Sequence, residues 1–357
     1  MLANVCYTLD WIQRKKAEIK ATDAGILERV IHAFALLGHL KECGLDFVFK
    51  GGTSILLHTP DIRRFSIDID ILCTAPPDEL KRVLDEVGSK PPFLRYAEDI
   101  RGERGLPNRR HFKFFYQPLL GADHVLLDVV EEDRIPHVIE TKRIHVPFLE
   151  FEREVEVKIP TVESLLADKL TAFAPRTTGV PFEPPEGKKP ELQQIVKQLF
   201  DIGELFSLAE NITAIRCTYR KVFDLENEYR DGGLHYNDAL EDTFAISAAY
   251  CHHDLKKVPK NPDVLLLEQG RKSLSSHLVN HTFDLPAAKI AAAKAALLTR
   301  LITREDANPS LLHWRTMPDM EAFRTLEITG EWSRINSLRS SITEAFWYWY
   351  QASNLVR

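Results

Sequence analysis

One stretch constrains this chain more than any other. From Phe47 to Leu72 it reads FVFKGGTSILLHTPDIRRFSIDIDIL: an apolar strand, a Gly-Gly-Thr turn, a short amphipathic helix, two arginines and a second strand. Successive strand side chains face opposite ways, so Asp68 and Asp70 project from one face and Ile67, Ile69 and Ile71 from the other. Two carboxylates about 7 Å apart on one strand face can converge on a divalent cation. Gly51 and Gly52 let backbone N–H groups approach an anion with no Cβ in the way. A phosphate cradle opposite a carboxylate pair is what metal-dependent chemistry on a nucleoside triphosphate requires. Taken alone, IDIDI would also suit a half-buried strand with an acidic outer face.

The flanking chain supplies a mixed α+β framework. Residues 8 to 43 have helical periodicity, and Ile26 to Leu40 reads as a core-packing helix stopped by Gly44. After a Thr74-Ala75-Pro76-Pro77 loop, Asp78 to Val87 reads as a surface helix. Strand patterns follow at Phe93–Glu98, His111–Tyr116, His124–Val130, Arg143–Phe148 and Glu154–Ile159. Strands and helices do not alternate regularly, so the spacing predicts a mixed sheet with flanking helices. The four arginines of Arg101–Arg110 suit either a solvated hairpin tip or a contact to substrate phosphates. Pro160 marks a boundary between residues 1–160 and an almost wholly helical 161–357. The expected helices there are Thr161–Ala174, Glu191–Leu208, Ala214–Asn227, Ala239–Tyr250, Ala287–Thr303, Asp319–Ile328 and Trp332–Ser353. Gly179 to Pro190, with four prolines, is expected to be an irregular loop.

Taken together, the motifs form a pattern. Gly51-Gly52-Thr53 followed by Arg64-Phe65-Ser66-Ile67-Asp68-Ile69-Asp70 resembles the signature of the polymerase-β-type nucleotidyltransferase superfamily. With fifteen residues between Gly52 and Asp68, it is most similar to the AbiEii branch, the toxins of AbiE-type toxin–antitoxin systems. The resemblance implies a polymerase-β-like mixed sheet followed by a mostly helical domain. It implies that Asp68 and Asp70 bind Mg²⁺ (or Mn²⁺), and that Gly51, Gly52, Thr53 and Ser66 bind the nucleotide. A third carboxylate from a neighbouring strand activates the attacking hydroxyl in that superfamily. Asp128 in HVLLDVVEED resembles it by position, with Asp123, Glu131 and Glu132 as alternatives.

In the helical domain, Ala167-Asp168-Lys169-Leu170 with Ala172-Phe173 resembles the third AbiEii motif, whose lysine contacts nucleotide phosphates. A mid-helix lysine without that context is ordinarily solvated. Lys197 and Asp201 stand four apart, the spacing of an intrahelical salt bridge. In the resemblance Asp201 is an essential acid that either serves the reaction or positions Lys169. Phe200 precedes it where many relatives carry arginine. Beyond about Leu208 no motif is legible. The run Phe346-Trp347-Tyr348-Trp349-Tyr350 has the spacing of helix packing more than of a base-stacking platform.

Composition narrows the setting. A formal charge of −6 argues against a generally basic nucleic-acid coat but leaves room for a local basic groove. Five scattered cysteines form no CxxC pair, which fits a reducing cytoplasm. The opening residues lack signal-peptide order, and no run of 18 apolar residues exists, so no membrane segment is expected. The implied activity is transfer of an NMP from an NTP to an acceptor. The tRNA 3′ end is favoured, with Arg63-Arg64, Arg101–Arg110 and Lys188-Lys189 as phosphate contacts and a cognate antitoxin as a possible partner. The alternatives are a protein-NMPylating enzyme and an inactive nucleotide-binding module.

Overall fold

The computed structural model describes residues 1–100, 107–183 and 189–355. The chain divides into two compact units: residues 1–161 with 276–281, and residues 162–275 with 282–357. The return of 276–281 to the first unit has no counterpart in the sequence patterns.

Among the described residues of the first unit, seven strands form one mixed sheet: β1 (Val48–Lys50), β2 (Ile69–Leu72), β3 (Phe93–Glu98), β4 (Asn108–Tyr116), β5 (His124–Glu131), β6 (Ile139–Arg143) and β7 (Glu156–Pro160). Their order is β3-β4-β5-β2-β1-β7-β6. β2 runs parallel to β5 and β1 parallel to β7, while β1–β2, β3–β4, β4–β5 and β6–β7 are antiparallel. Alternation decides the two faces. Val125, Leu127 and Val129 of β5 and Phe112, Phe114 and Tyr116 of β4 are buried in the core, while the residues between them are less enclosed or polar.

The Ala24–Glu42 helix covers the apolar face and is buried over most of its length. Its N-terminus is capped by Asp23, whose carboxylate accepts from the N–H groups of Gly25 and Ile26. Glu28 is buried on it, and Leu119 N and Leu120 N offset its desolvation by donating to its two oxygens at 2.7 and 2.9 Å. His32, one turn on, stacks on Tyr116 with ring centroids 3.5 Å apart.

One strand falls earlier than the pattern predicts. The apolar run Arg143–Phe148 is not a strand; β6 ends at Arg143. Pro147 cannot donate to a ladder, so Ile144, Val146 and Phe148 enter the core from a loop instead.

The second unit is helical, with Leu285–Thr303 at its centre, packed against Leu192–Leu208, Tyr236–His252 and Thr343–Asn354. The Pro262–Ser273 helix lies where no helix is predicted, although Asn261 caps it and Pro262 occupies its first turn. The predicted single helix Trp332–Ser353 is interrupted: a 3₁₀ segment, Gly330–Ser337, and a short turn, Leu338–Ser341, precede Thr343–Asn354. The hydroxyls of Ser341 and Thr343 donate to the carbonyls four residues back, Ser337 O and Arg339 O, each at 3.2 Å, a contact that bends helices. Phe346, Trp347, Tyr348 and Trp349 are buried, and Trp349 stacks on Phe244 at 5.3 Å, so the aromatic run is packing. Among the described residues, no helix is long and apolar enough to cross a membrane.

Candidate active site

In the first unit the site is built around the end of β1. The strand closes at Lys50, and Gly51 takes φ +76° to turn into the Gly51–Ser54 helical turn and the following 3₁₀ turn Ile55–Leu57. A Cβ at Gly51 would lie 2.0 Å from Asp70 Oδ2, so the Asp70 carboxylate rests directly against the glycine backbone. A Cβ at Gly52 would lie 2.9 Å from Ser66 Oγ and 3.0 Å from Arg64 Nη2. Glycine is required twice, and each time a polar side chain of the second motif fills the space.

Thr53 ties the same turn to the segment before β2. Its hydroxyl is buried and donates to the backbone oxygen of Asp68 at 2.6 Å. The side chain of Thr53 is therefore a tether. Asp68 precedes the first residue of β2, and Asp70 lies within the strand. Both are half-buried.

Sheet register gives Asp70 its neighbours. Asp70 pairs with Lys50 across the antiparallel β1–β2 ladder and with Asp128 across the parallel β2–β5 ladder. Paired residues share a face, so two carboxylates on adjacent strands stand side by side, about 5 Å apart at the backbone. Asp128 is in turn opposite His111 on β4, and His111 Nδ1 donates to Asp128 Oδ1 at 2.7 Å. His111 is a site residue that no sequence motif signals. The pairing of β4 with β5 alone places it.

The turn that carries the glycines is pinned at its far end. His58 Nε2 donates to Pro160 O at 2.9 Å, and Lys142 Nζ donates to His58 Nδ1 at 2.9 Å. These two partners fix the neutral tautomer protonated on Nε2. Burial, reinforced by Lys142, pushes the His58 pKa down from 6.5 to about 4.

In the second unit, Lys169 on the Val162–Ala172 helix and Asp201 on the Leu192–Leu208 helix form an ion pair, Nζ to Oδ2 3.4 Å. Both side chains are under a tenth exposed. Lys169 is thus not the solvated lysine its helix position alone suggests. Phe200 packs edge-on against Phe283 in the core.

The sequence comparison fits this geometry. A family model described as "Nucleotidyl transferase AbiEii toxin, Type IV TA system" matches residues 35–304, from the core helix through the centre of the helical unit. The chain belongs to the AbiEii family. No curated protein matches the sequence. Two solved chains from Helicobacter pylori, JHP933 and a candidate nucleotidyltransferase, are each 16% identical. Each comparison covers 77% of this chain and 92% of the other, at a TM-score of 0.39, which is too low to bear on fold or function.

Within this AbiEii-family chain the donor chemistry of Asp70 and Asp128 suits a hard cation. Among the described residues, no three His, Cys, Asp or Glu side chains converge to enclose an ion on their own. Mg²⁺ does not need such a cage; it is ordinarily held by one or two carboxylates, with substrate phosphates and water completing its shell. Two of the expected phosphate contacts change. Arg64 is buried, with Nη1 donating to Phe65 O at 3.0 Å, so its place is beside Gly52 and not on a surface that meets RNA. Residues 101–106 and Lys188 lie outside the described residues; Arg109 is exposed, and Arg110 is engaged by Glu98.

Proposed function

We propose that the protein is a Mg²⁺-dependent (or Mn²⁺-dependent) nucleotidyltransferase that moves an NMP from an NTP to an acceptor hydroxyl, with the tRNA 3′ end as acceptor. It would act in the cytoplasm as the toxin of a toxin–antitoxin pair, with a cognate antitoxin. The carrying observation is Asp70 beside Asp128 on one sheet face, with the Asp70 carboxylate against the Gly51 backbone. Family membership supports the reaction class.

In this reading Asp70 and Asp128 would hold the metal, with Asp68 as a further ligand when substrate phosphates complete the shell, and the metal would neutralise charge on the triphosphate. Gly51, Gly52 and Ser66 face the phosphates, with Thr53 holding the turn in place. Asp128 takes the proton of the acceptor hydroxyl as the new O–P bond forms at the α-phosphorus. The bond from that phosphorus to the bridging oxygen breaks, and pyrophosphate leaves in line with the attack. For Lys169 the family resemblance implies a phosphate contact, a task that suits a compact ammonium, and within the second unit Asp201 holds that ammonium.

The test is incubation with each α-³²P-labelled NTP, Mg²⁺ and total cellular RNA, with RNA and protein then resolved on denaturing gels. A labelled tRNA band that Asp70→Ala abolishes is the expected result, and it names the nucleotide. Label on protein would replace the acceptor with a protein side chain. No label with any NTP would leave the inactive nucleotide-binding module as the surviving account.

A further inference from the structure

The row of polar side chains on the open face of the sheet does not stop at Asp128. On the next strand, His111 sits opposite it, and the imidazole is nine-tenths enclosed while the Asp128 carboxylate keeps a quarter of its surface. Among the described residues, the Asp128 carboxylate has one hydrogen-bond partner, the Nδ1–H of His111 at 2.7 Å. The strand that carries His111 is well anchored. Phe112 and Phe114 are buried on its other face, Arg110 is paired with Glu98, and Lys113 with Asp99 at 3.0 Å. A carboxylate beside a second carboxylate, Asp70, has every electrostatic reason to turn away from it. An N–H donor on the opposite flank fixes its rotamer instead.

We propose that His111 is a positioning residue for the transfer reaction. It holds Oδ1 of Asp128 so that Oδ2 remains the oxygen available to the acceptor hydroxyl. The proposal rests on the nucleotidyl-transfer reading and assigns the pair a task beyond that of an ordinary cross-strand contact. Outer partners that orient a working carboxylate typically contribute 10- to 100-fold to activity.

The same labelling assay tests it, run at varied NTP concentration on wild type, Asp70→Ala, His111→Ala and His111→Asn, with a thermal melt of each. Asparagine keeps an N–H donor near the Nδ1 position. Expected is a fall in kcat of roughly 10- to 100-fold for His111→Ala, with KM for the NTP unchanged and most of the loss recovered in His111→Asn. Wild-type kcat in His111→Ala would overturn the assignment. So would an equal loss in both variants that follows a lowered melting temperature, since that outcome leaves only a structural pair. A second readout needs no turnover: in the ¹⁵N spectrum of ring-labelled protein, Asp128→Asn should shift the His111 Nδ1 resonance, and an unmoved resonance overturns the proposal. Failure of the underlying reading looks different. There, wild type and Asp70→Ala label alike or not at all, whereas failure of the His111 assignment leaves Asp70 essential.

Discussion

At the residue scale, two small geometries dominate. Gly51 combines a left-handed φ of +76° with a contact that leaves no room for a methyl group beside Asp70. Gly51→Ala should therefore cost about 1–2 kcal/mol of backbone strain and displace the Asp70 carboxylate. A urea titration and the labelling assay check both effects, and full activity in that variant would show that the carboxylate has other room. Lys169 and Asp201 form the second geometry. Removing one member of a buried pair strands the other charge, so Lys169→Ala should destabilise the fold by roughly 3–5 kcal/mol. The double variant Lys169→Met, Asp201→Leu should regain most of that stability in urea titration while staying inactive. Regained activity would take the pair out of the chemistry. The spacing of Lys197 and Asp201 points to a local pair, and packing brings a buried lysine from another helix, Lys169, to the same carboxylate.

At the element scale, two histidines act as pins. His58 ties the glycine turn to the end of β7, and His32 ties the Ala24–Glu42 helix to Tyr116 of β4, with its Nδ1 bonded to Glu28 O at 2.8 Å. Burial is the main cause that pushes each from 6.5 to about 4. The unfolded chain therefore takes up protons near pH 6.5, and the folded chain only near pH 4. Stability is full above about 6.5 and is lost as pH falls toward 4, at up to about 1.4 kcal/mol per histidine per pH unit. Urea midpoints measured between pH 7.5 and 4.5 should fall, and His58→Gln should flatten part of the decline. A second close packing joins helices. A Cβ on Gly270 of Pro262–Ser273 would lie 2.3 Å from Leu192 O of Leu192–Leu208. Gly270→Ala should cost about 1–3 kcal/mol as overpacking, read from the shift in urea midpoint.

At the scale of the whole molecule, the first unit is not a contiguous stretch of sequence. Residues 276–281 return to it through Phe65 N to His277 O at 2.8 Å, Val279 N to Arg63 O at 2.9 Å and Asn280 N to Lys20 O at 3.1 Å, with Leu278 and Val279 buried. Residues 1–161 alone should consequently lack the cooperative thermal transition of the full chain by circular dichroism. A fragment that melts like the intact protein would show the returning segment to be dispensable. What the sequence determined by itself was carried by local spacing: the two glycines, the acids in and just before β2, most of the helical periods of the second unit and the order of motifs that marks the family. Periods of 2 and 3.6 are properties of the chain and can be read along it. The tertiary structure decided which distant residues became neighbours. Asp128 came to stand beside Asp70, His111 behind Asp128, Lys169 against Asp201, and 276–281 against 63–65, because strand order, register and helix packing answer to the whole core and leave no local trace.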